Sequence, residues 1–184
     1  LGTLFHAWVE QRSELVGVGT RPDEALWELD DDEPGSDDAT ETSTTDAADL
    51  AVLQATFERS EWGALRPIAV EIEIDFALGA ASGEPSGHIV ICKLDAVYRR
   101  ADRGDRIEIV DWKTGRAPRN AQEREERMLQ LALYRLAYHR RFGVPIEDID
   151  VALYYVADDL VIRGDRVYSE PELVQRWSAA RAAR

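Results

Sequence analysis

The chain has 184 residues, 45% of them hydrophobic, with a single cysteine and a net charge of -14. That length and apolar content suit one domain with a proper core and are too short for two. With no run of eighteen apolar residues and no charged-then-apolar leader, neither a membrane span nor a secretory signal is read, and a cytoplasmic protein is expected. One cysteine excludes an internal disulfide framework and a four-cysteine metal or iron-sulfur site within this chain, so any metal is expected to be oxygen-bound and exchangeable, or absent.

In chain order, Leu4, Phe5, Trp8, Val9 and Leu15 recur at helical spacing, which predicts an amphipathic helix over 2–16, broken by Gly17, Gly19 and Pro22. The chain opens abruptly at Leu1-Gly2-Thr3-Leu4 with an apolar face already in progress. That reads as a module excised from the C-terminal part of a larger polypeptide. From about residue 30 to 45 the sequence is Asp, Glu, Ser, Thr, Gly and Pro with almost no apolar residue; such a segment cannot bury enough surface to offset its ordering entropy, and a mobile acidic loop is expected. Thr45 or Asp46 can cap a helix to about Trp62, carrying Leu50, Leu53 and Phe57.

Val70, Ile72, Ile74 and Phe76 alternate with Glu71, Glu73 and Asp75, the pattern of a strand with one buried face. After a turn over 79–87, two strands follow, Ile89 to Tyr98 and Ile107 to Trp112, joined by a charged hairpin loop with Gly104-Asp105 at its tip. These make a three-strand meander. Gln122 to Phe142 carries Met128, Leu129, Leu131, Ala132, Leu133, Leu136 and Ala137 as an apolar surface and ends at Gly143 and Pro145, so it reads as a helix. Ile149 to Val156 returns as a strand, which makes that helix a crossover onto the sheet. A short hairpin over Leu160 to Tyr168 and a helix from Pro171 or Glu172 to about Ala182 complete the chain. The fold class is α/β, a central mixed sheet flanked by helices.

The acidity is concentrated. Twelve acids and no base lie between Asp23 and Asp49; removing them from the net charge of -14 leaves -2 for everything else. Arginines bunch at Arg99, Arg100, Arg103 and Arg106, at Arg116, Arg119, Arg124 and Arg127, and at Arg135, Arg140 and Arg141. Acids such as Asp102, Asp105, Glu123, Glu125 and Glu126 are mixed among them, so a solvated surface and a phosphate-contacting surface are both open readings.

The chemistry centres on Asp111-Trp112-Lys113-Thr114-Gly115 at the end of an apolar strand, with Leu94-Asp95-Ala96-Val97 sixteen residues upstream. An aspartate pair can hold a hard divalent cation, and a lysine two residues beyond Asp111 shares its strand face. These parts suit metal-assisted cleavage of a phosphodiester. A charge within such apolar strands costs several kcal/mol unless paired or metal-bound; the plainer reading is salt bridging to Lys93 and Lys113 at the sheet rim. His6 on the first helix is either a core histidine or a ligand beside those carboxylates. Gln130 and Tyr134 share one helix face, flanked by Arg127 and Tyr138, and form either a polar edge or part of the site. Glu10, Glu71 and Glu73 are second-tier candidates that could reach a metal from the first helix or strand, although ordinary exposed strand and helix charges are the readier reading.

Gly2-x-x-x-His6, Leu94-Asp95-Ala96-Val97, Val110-Asp111-Trp112-Lys113-Thr114-Gly115 and Gln130-Leu131-Ala132-Leu133-Tyr134, in that order, resemble the RecB-like branch of the PD-(D/E)xK nuclease superfamily, over residues 2 to about 156. The resemblance implies a restriction-endonuclease-like core spanning 1–184 as a single nuclease domain. It implies a magnesium or manganese ion held by His6, Asp95, Asp111 and the Trp112 carbonyl, Lys113 positioning the attacking water, and Gln130 and Tyr134 supporting the site or the DNA. It also implies a bacterial, DNA-associated setting like that of the C-terminal nuclease domains of UvrD-like and AdnAB-type helicase-nucleases, which resect double-strand breaks, with DNA, a linked helicase and a second helicase-nuclease subunit as partners. Two departures stand out. Cys92 occupies the position three before the first aspartate where the family usually has glycine, and the cysteines that pin an iron-sulfur cluster in many relatives are missing, so no cluster is expected. A catalytically silent DNA-binding or subunit-docking module, and a nuclease acting on RNA or outside a helicase, are the alternatives.

Overall fold

The computed structural model describes residues 1–13, 44–79 and 88–182. Its centre is a five-stranded mixed sheet in the order β1-β2-β3-β4-β5, formed by β1 (Ala69–Leu78), β2 (His88–Arg100), β3 (Arg106–Lys113), β4 (Ile149–Tyr155) and β5 (Leu160–Arg163). The first three strands are an antiparallel meander, β4 lies parallel to β3, and β5 returns antiparallel to β4. The β3–β4 link is made by α3 (Ala121–Phe142), as a parallel pair requires a crossover. Of the acidic loop expected over about 30–45, residues 30–43 lie outside the described residues, as do the helix breakers Gly17, Gly19 and Pro22, the predicted end of the first helix at 14–16 and residues 80–87 of the expected turn; Thr44 and Thr45 belong to the second helix, Thr44–Arg59.

The sheet is buried on both faces. On one, α3 and α4 (Glu170–Ala182) cover Ile74, Phe76, Val90, Cys92, Leu94, Ile107 and Ile109 through Leu131, Leu136, Leu173 and Trp177. On the other, α1 (Gly2–Arg12) and α2 (Thr44–Arg59) bring Phe5, Val9, Leu53 and Phe57 against Tyr98, Val110, Trp112 and Tyr154. That second core is largely aromatic: Trp112 meets the Phe57 and Trp62 rings edge-on at 5.1 and 5.6 Å between centroids, the arrangement that ring quadrupoles favour. This is an α/β/α sandwich of restriction-endonuclease type, as the sequence predicts. Among the described residues no helix is long and apolar enough to cross a membrane.

Several boundaries differ from expectation for local physical reasons. Within α1, Leu4 points to solvent while Phe5 and Val9 are buried, and Ser13 closes the helix by donating its hydroxyl to the Val9 carbonyl at 2.7 Å. The second helix stops at Arg59, where Ser60 donates to the Phe57 carbonyl. Trp62 is buried from the following turn and not from the helix. The expected hairpin over Leu160 to Tyr168 is instead a hairpin of β4 with β5. Beyond Arg163 the chain leaves the strand, with the Gly164 N–H bonded to the Val151 carbonyl and its α-carbon so close that a β-carbon would meet Val151 Cγ2 at 2.8 Å.

The largest correction concerns β1. Val70 lies in the core beneath α1 and α2, whereas Ile74 and Phe76 lie in the core beneath α3; they do not form one buried face. Residues of equal parity normally share a face. The exchange happens at Glu71, whose φ is +49°. Directly opposite, β2 makes the same exchange, with Leu94 in one core and Ala96 in the other. The register runs Val70–Ala96 and then Ile72–Leu94, so Glu71 and Asp95 are the facing pair at which both strands rotate.

Candidate metal and phosphodiester site

The rotation turns two carboxylates towards α1. His6 Nδ1 stands 3.6 Å from Asp95 Oδ1 and 3.7 Å from Glu71 Oε1. One ligand atom from each of His6, Glu71 and Asp95 falls within 4.8 Å of the others. The first helix approaches closely because residue 2 is glycine: a β-carbon there would lie 3.0 Å from Thr114 Oγ1. The Gly2-x-x-x-His6 spacing thus lets the start of α1 rest on the end of β3 and sets His6 one turn further, over the carboxylates. Glu10, another turn along, lines the same small crevice with Val70 and Trp112.

Asp95 is buried, and its Oδ2 accepts the Trp112 amide N–H at 2.8 Å. Trp112 therefore touches the cluster through its amide, while its ring anchors the aromatic core. Asp111 sits on the α3 side of β3. Its Oδ1 accepts the Tyr134 hydroxyl at 3.2 Å, and Gln130 Nε2 donates to that hydroxyl at 2.8 Å. Lys113 Nζ is 3.0 Å from Asp111 Oδ2. The Lys113 carbonyl accepts the Val156 N–H at 2.9 Å, which fixes the strand end behind it. Of the rim salt bridges weighed from sequence, Lys113–Asp111 forms; Lys93 instead pairs with Glu71, at 2.7 Å.

Burial and mutual repulsion of the carboxylates govern the electrostatics of the cluster. Burial raises the Asp95 carboxyl and the nearby Asp111 raises it further; His6, Lys113 and the Trp112 N–H only partly compensate, leaving it at about 7. Burial works against a charged His6, yet Asp95, Glu71 and Asp111 together carry its pKa up to about 9. Lys113 is likewise desolvated, but Asp111 and Asp95 more than offset that and hold it protonated. Tyr134 is pushed well above its ordinary value by burial and by the same two carboxylates.

The donor set, two carboxylates and an imidazole, fits a hard or borderline divalent cation such as magnesium or manganese. Octahedral ligands at about 2.1 Å from such an ion stand about 3 Å apart, so small side-chain rotations would close the His6–Glu71–Asp95 triangle onto it.

The structure brings His6, Asp95, Trp112, Asp111, Lys113, Gln130 and Tyr134 to one end of the sheet. Of the further candidates Glu10, Glu71 and Glu73, it brings Glu71 into the cluster, sets Glu10 along the same crevice, and leaves Glu73 exposed and outside. The sequence signal for Glu71 was its place opposite Asp95 in an antiparallel register; no residue pattern announces the rotation that aims it.

The sequence matches the family model of the PD-(D/E)XK nuclease superfamily over residues 1–183. The chain belongs to that superfamily. Its members are generally metal-dependent nucleases, in keeping with a carboxylate–histidine cluster beside a strand-end lysine. No curated protein matches the sequence. Among solved structures the chain is similar to one titled "Crystal structure of SSO0001", with 12% identity, a TM-score of 0.45 and coverage of 76% of this chain. It spans 59% of that protein's length.

Most of the arginines that bunch in the sequence have structural duties. Arg100, Arg103 and Arg163 converge on the fully buried Glu108 and on Glu61, with Trp62 Nε1 also donating to Glu108 at 2.9 Å. Arg106 pairs with Asp150. Arg135 is buried and donates to the carbonyls of Ile149, Gly164 and Arg166, and Arg140 pairs with Glu170. For these the phosphate-contacting reading is withdrawn, because each guanidinium already has carboxylate or carbonyl acceptors.

Proposed function

We propose that this domain is a divalent-metal-dependent deoxyribonuclease that hydrolyses phosphodiester bonds. The observation that carries the reading is the convergence of His6, Glu71 and Asp95 beside the Asp111–Lys113 pair. His6, Asp95, Asp111 and the Trp112 carbonyl would hold the magnesium or manganese ion, with Glu71 as a further ligand. A bound divalent cation would polarise the phosphoryl group, activate water and neutralise charge on the leaving oxygen.

The chain's own residues do the rest. Lys113 is kept protonated, so it serves as a fixed positive charge and donor, holding the attacking water or a phosphate oxygen, and not as a base. Asp111 is oriented by Tyr134, which Gln130 orients in turn. Asp95 is anchored by the Trp112 N–H. In the reaction the water oxygen bonds to phosphorus and the bond from phosphorus to the departing sugar oxygen breaks, giving a phosphate monoester and a hydroxyl.

The ordered motifs that resemble the RecB-like branch support a finer reading: a single nuclease domain, in a DNA-associated cytoplasmic protein, linked to a helicase that feeds it a strand during double-strand-break repair. The test is incubation of the purified chain with labelled single- and double-stranded DNA and Mn²⁺, alongside Mg²⁺, EDTA and Asp111→Ala controls. Metal-dependent cleavage lost in Asp111→Ala supports the nuclease. No cleavage and no metal binding by calorimetry would instead establish the silent DNA-binding or docking module.

A further inference from the structure

The seven residues from Thr114 to Asn120 run from the end of β3 to the start of α3, so they leave the candidate site directly. Between Lys113 and Arg127 there are five bases and three acids, a local excess of positive charge in a chain whose net charge is -14. The acids of this stretch are engaged: Glu123 accepts from the Arg119 and Asn120 nitrogens, Glu125 from Arg176, and Glu126 from Gln122. Asp158 accepts from the Ala117 N–H. The guanidinium groups of Arg116, Arg119 and Arg124 are exposed, and among the described residues none has a carboxylate partner.

Along α3, Arg124, Arg127, Gln130 and Tyr134 follow at three- and four-residue spacing, which sets them on one side of the helix. That side ends at Asp111, through the Tyr134 hydroxyl. Arg127 is buried there, close enough that its charge is felt by the Lys113 ammonium. Exposed cations in the loop thus continue into a buried cation whose charge reaches Lys113. A row of this kind fits a row of phosphates, because each neutralised phosphate releases condensed counterions.

We propose that Arg116, Arg119 and Arg124 form a phosphate track that binds the backbone of a DNA strand and leads it, past Arg127, to Lys113. The track rests on the nuclease reading for its purpose but not for its binding chemistry. It recognises charge and spacing, not bases, so binding through it is sequence-independent and salt-dependent.

The test is fluorescence anisotropy of a labelled single-stranded oligonucleotide in EDTA, which prevents cleavage, across a series of NaCl concentrations. The proteins are the parent, an Arg116→Ala/Arg119→Ala/Arg124→Ala variant, and an Arg99→Ala/Arg141→Ala control, whose arginines are exposed near the opposite end of α3. The track variant should bind about 10- to 100-fold more weakly at low salt. Its log–log salt slope should fall by roughly 2, because each phosphate that a cation neutralises on a single strand adds about 0.7 to that slope. The control should stay within about twofold of the parent.

Equal loss in both variants, no loss in the track variant, or no binding by the parent would each overturn the proposal, as would preference for an RNA strand of the same sequence. A cleavage assay in Mn²⁺ separates the two readings. A parent that binds through the track but neither cuts nor binds Mn²⁺ by calorimetry sinks the nuclease and leaves the track standing. A track variant with raised KM and unchanged kcat supports both.

Discussion

Glu71 and Asp95 face each other across β1 and β2 at the one register position where both strands exchange faces of the sheet. Glu71 does so with φ at +49°, a region that costs a non-glycine residue on the order of 1–3 kcal/mol. The two carboxylates would otherwise project regularly from a pleated pair. Rotated, they meet His6 on α1, and the backbone strain is held by two cores that each claim the residues on either side, Val70 and Ala96 in one, Ile72 and Leu94 in the other.

The first expectation concerns Glu71. If it ligates the ion, Glu71→Ala should weaken Mn²⁺ binding by about 10- to 100-fold, a range typical of losing one metal-site partner, while Glu73→Ala, two residues along the same strand, should leave it unchanged. Isothermal titration calorimetry on the three proteins decides it; equal affinities would remove Glu71 from the site.

The pH dependence of metal binding follows from His6 and Asp95. A protonated imidazole cannot ligate, and His6 is held protonated up to about 9, with Asp95 titrating near 7. Metal uptake must therefore release protons, and apparent Mn²⁺ affinity should climb by about tenfold per pH unit between pH 7 and 9 and more steeply below 7, where both groups lose a proton. Titrations in buffers of different ionisation enthalpy would count the protons. Affinity flat across that range would contradict the charge balance described above.

Stability of the metal-free protein should move the opposite way. His6 is raised above its ordinary value, so its stabilisation is complete below about 6.5 and is lost as pH rises through about 9. Asp95 is also raised, so ionising it in the fold costs stability as pH climbs from about 4 to 7. Both groups bind more protons folded than unfolded, hence the metal-free Tm should decline from weakly acidic to alkaline pH, and Asp95→Asn should flatten the lower part of that decline.

Lys113 and Tyr134 should separate by size of effect. Lys113→Ala removes the fixed charge at the reacting phosphate and should lower kcat by about 10²- to 10³-fold, in the range seen when a charge-stabilising donor is lost, with Mn²⁺ affinity kept. Tyr134→Phe deletes only the hydroxyl that links Gln130 to Asp111; a drop of about tenfold in kcat and about 1 kcal/mol in stability is expected. Single-turnover cleavage rates and denaturant unfolding would measure the two. A Tyr134→Phe rate as low as that of Lys113→Ala would mean the tyrosine touches the reacting phosphate itself.

Glu108 tests the division between site and scaffold. It is fully buried and takes bonds from Trp62, Arg100, Arg103 and Arg163. Glu108→Ala would leave several buried donors and charges unmatched, and a loss of about 3–5 kcal/mol is expected. Thermal unfolding should show a large fall in Tm, with DNA binding of the surviving folded fraction unchanged.

The sequence by itself determined the elements and their order. Asp95 and Asp111 stand out because a charge inside an apolar strand needs a partner, and Lys113 shares the face of Asp111 because side chains alternate with period two. The α3 crossover, closed by Gly143 in the left-handed conformation, was equally legible, since helix termination and helical periodicity are local. Only the tertiary structure decided which side of the sheet each side chain reached. It took Val70 away from Ile74, aimed Glu71 at His6, moved Lys93 from Asp95 to Glu71, and bound Arg100 and Arg103 to Glu108 while leaving Arg116, Arg119 and Arg124 to solvent. Those outcomes depend on a rotation shared by two strands and on acids distant in sequence, Glu61 and Glu108 among them. Composition and spacing within a short window carry no trace of either.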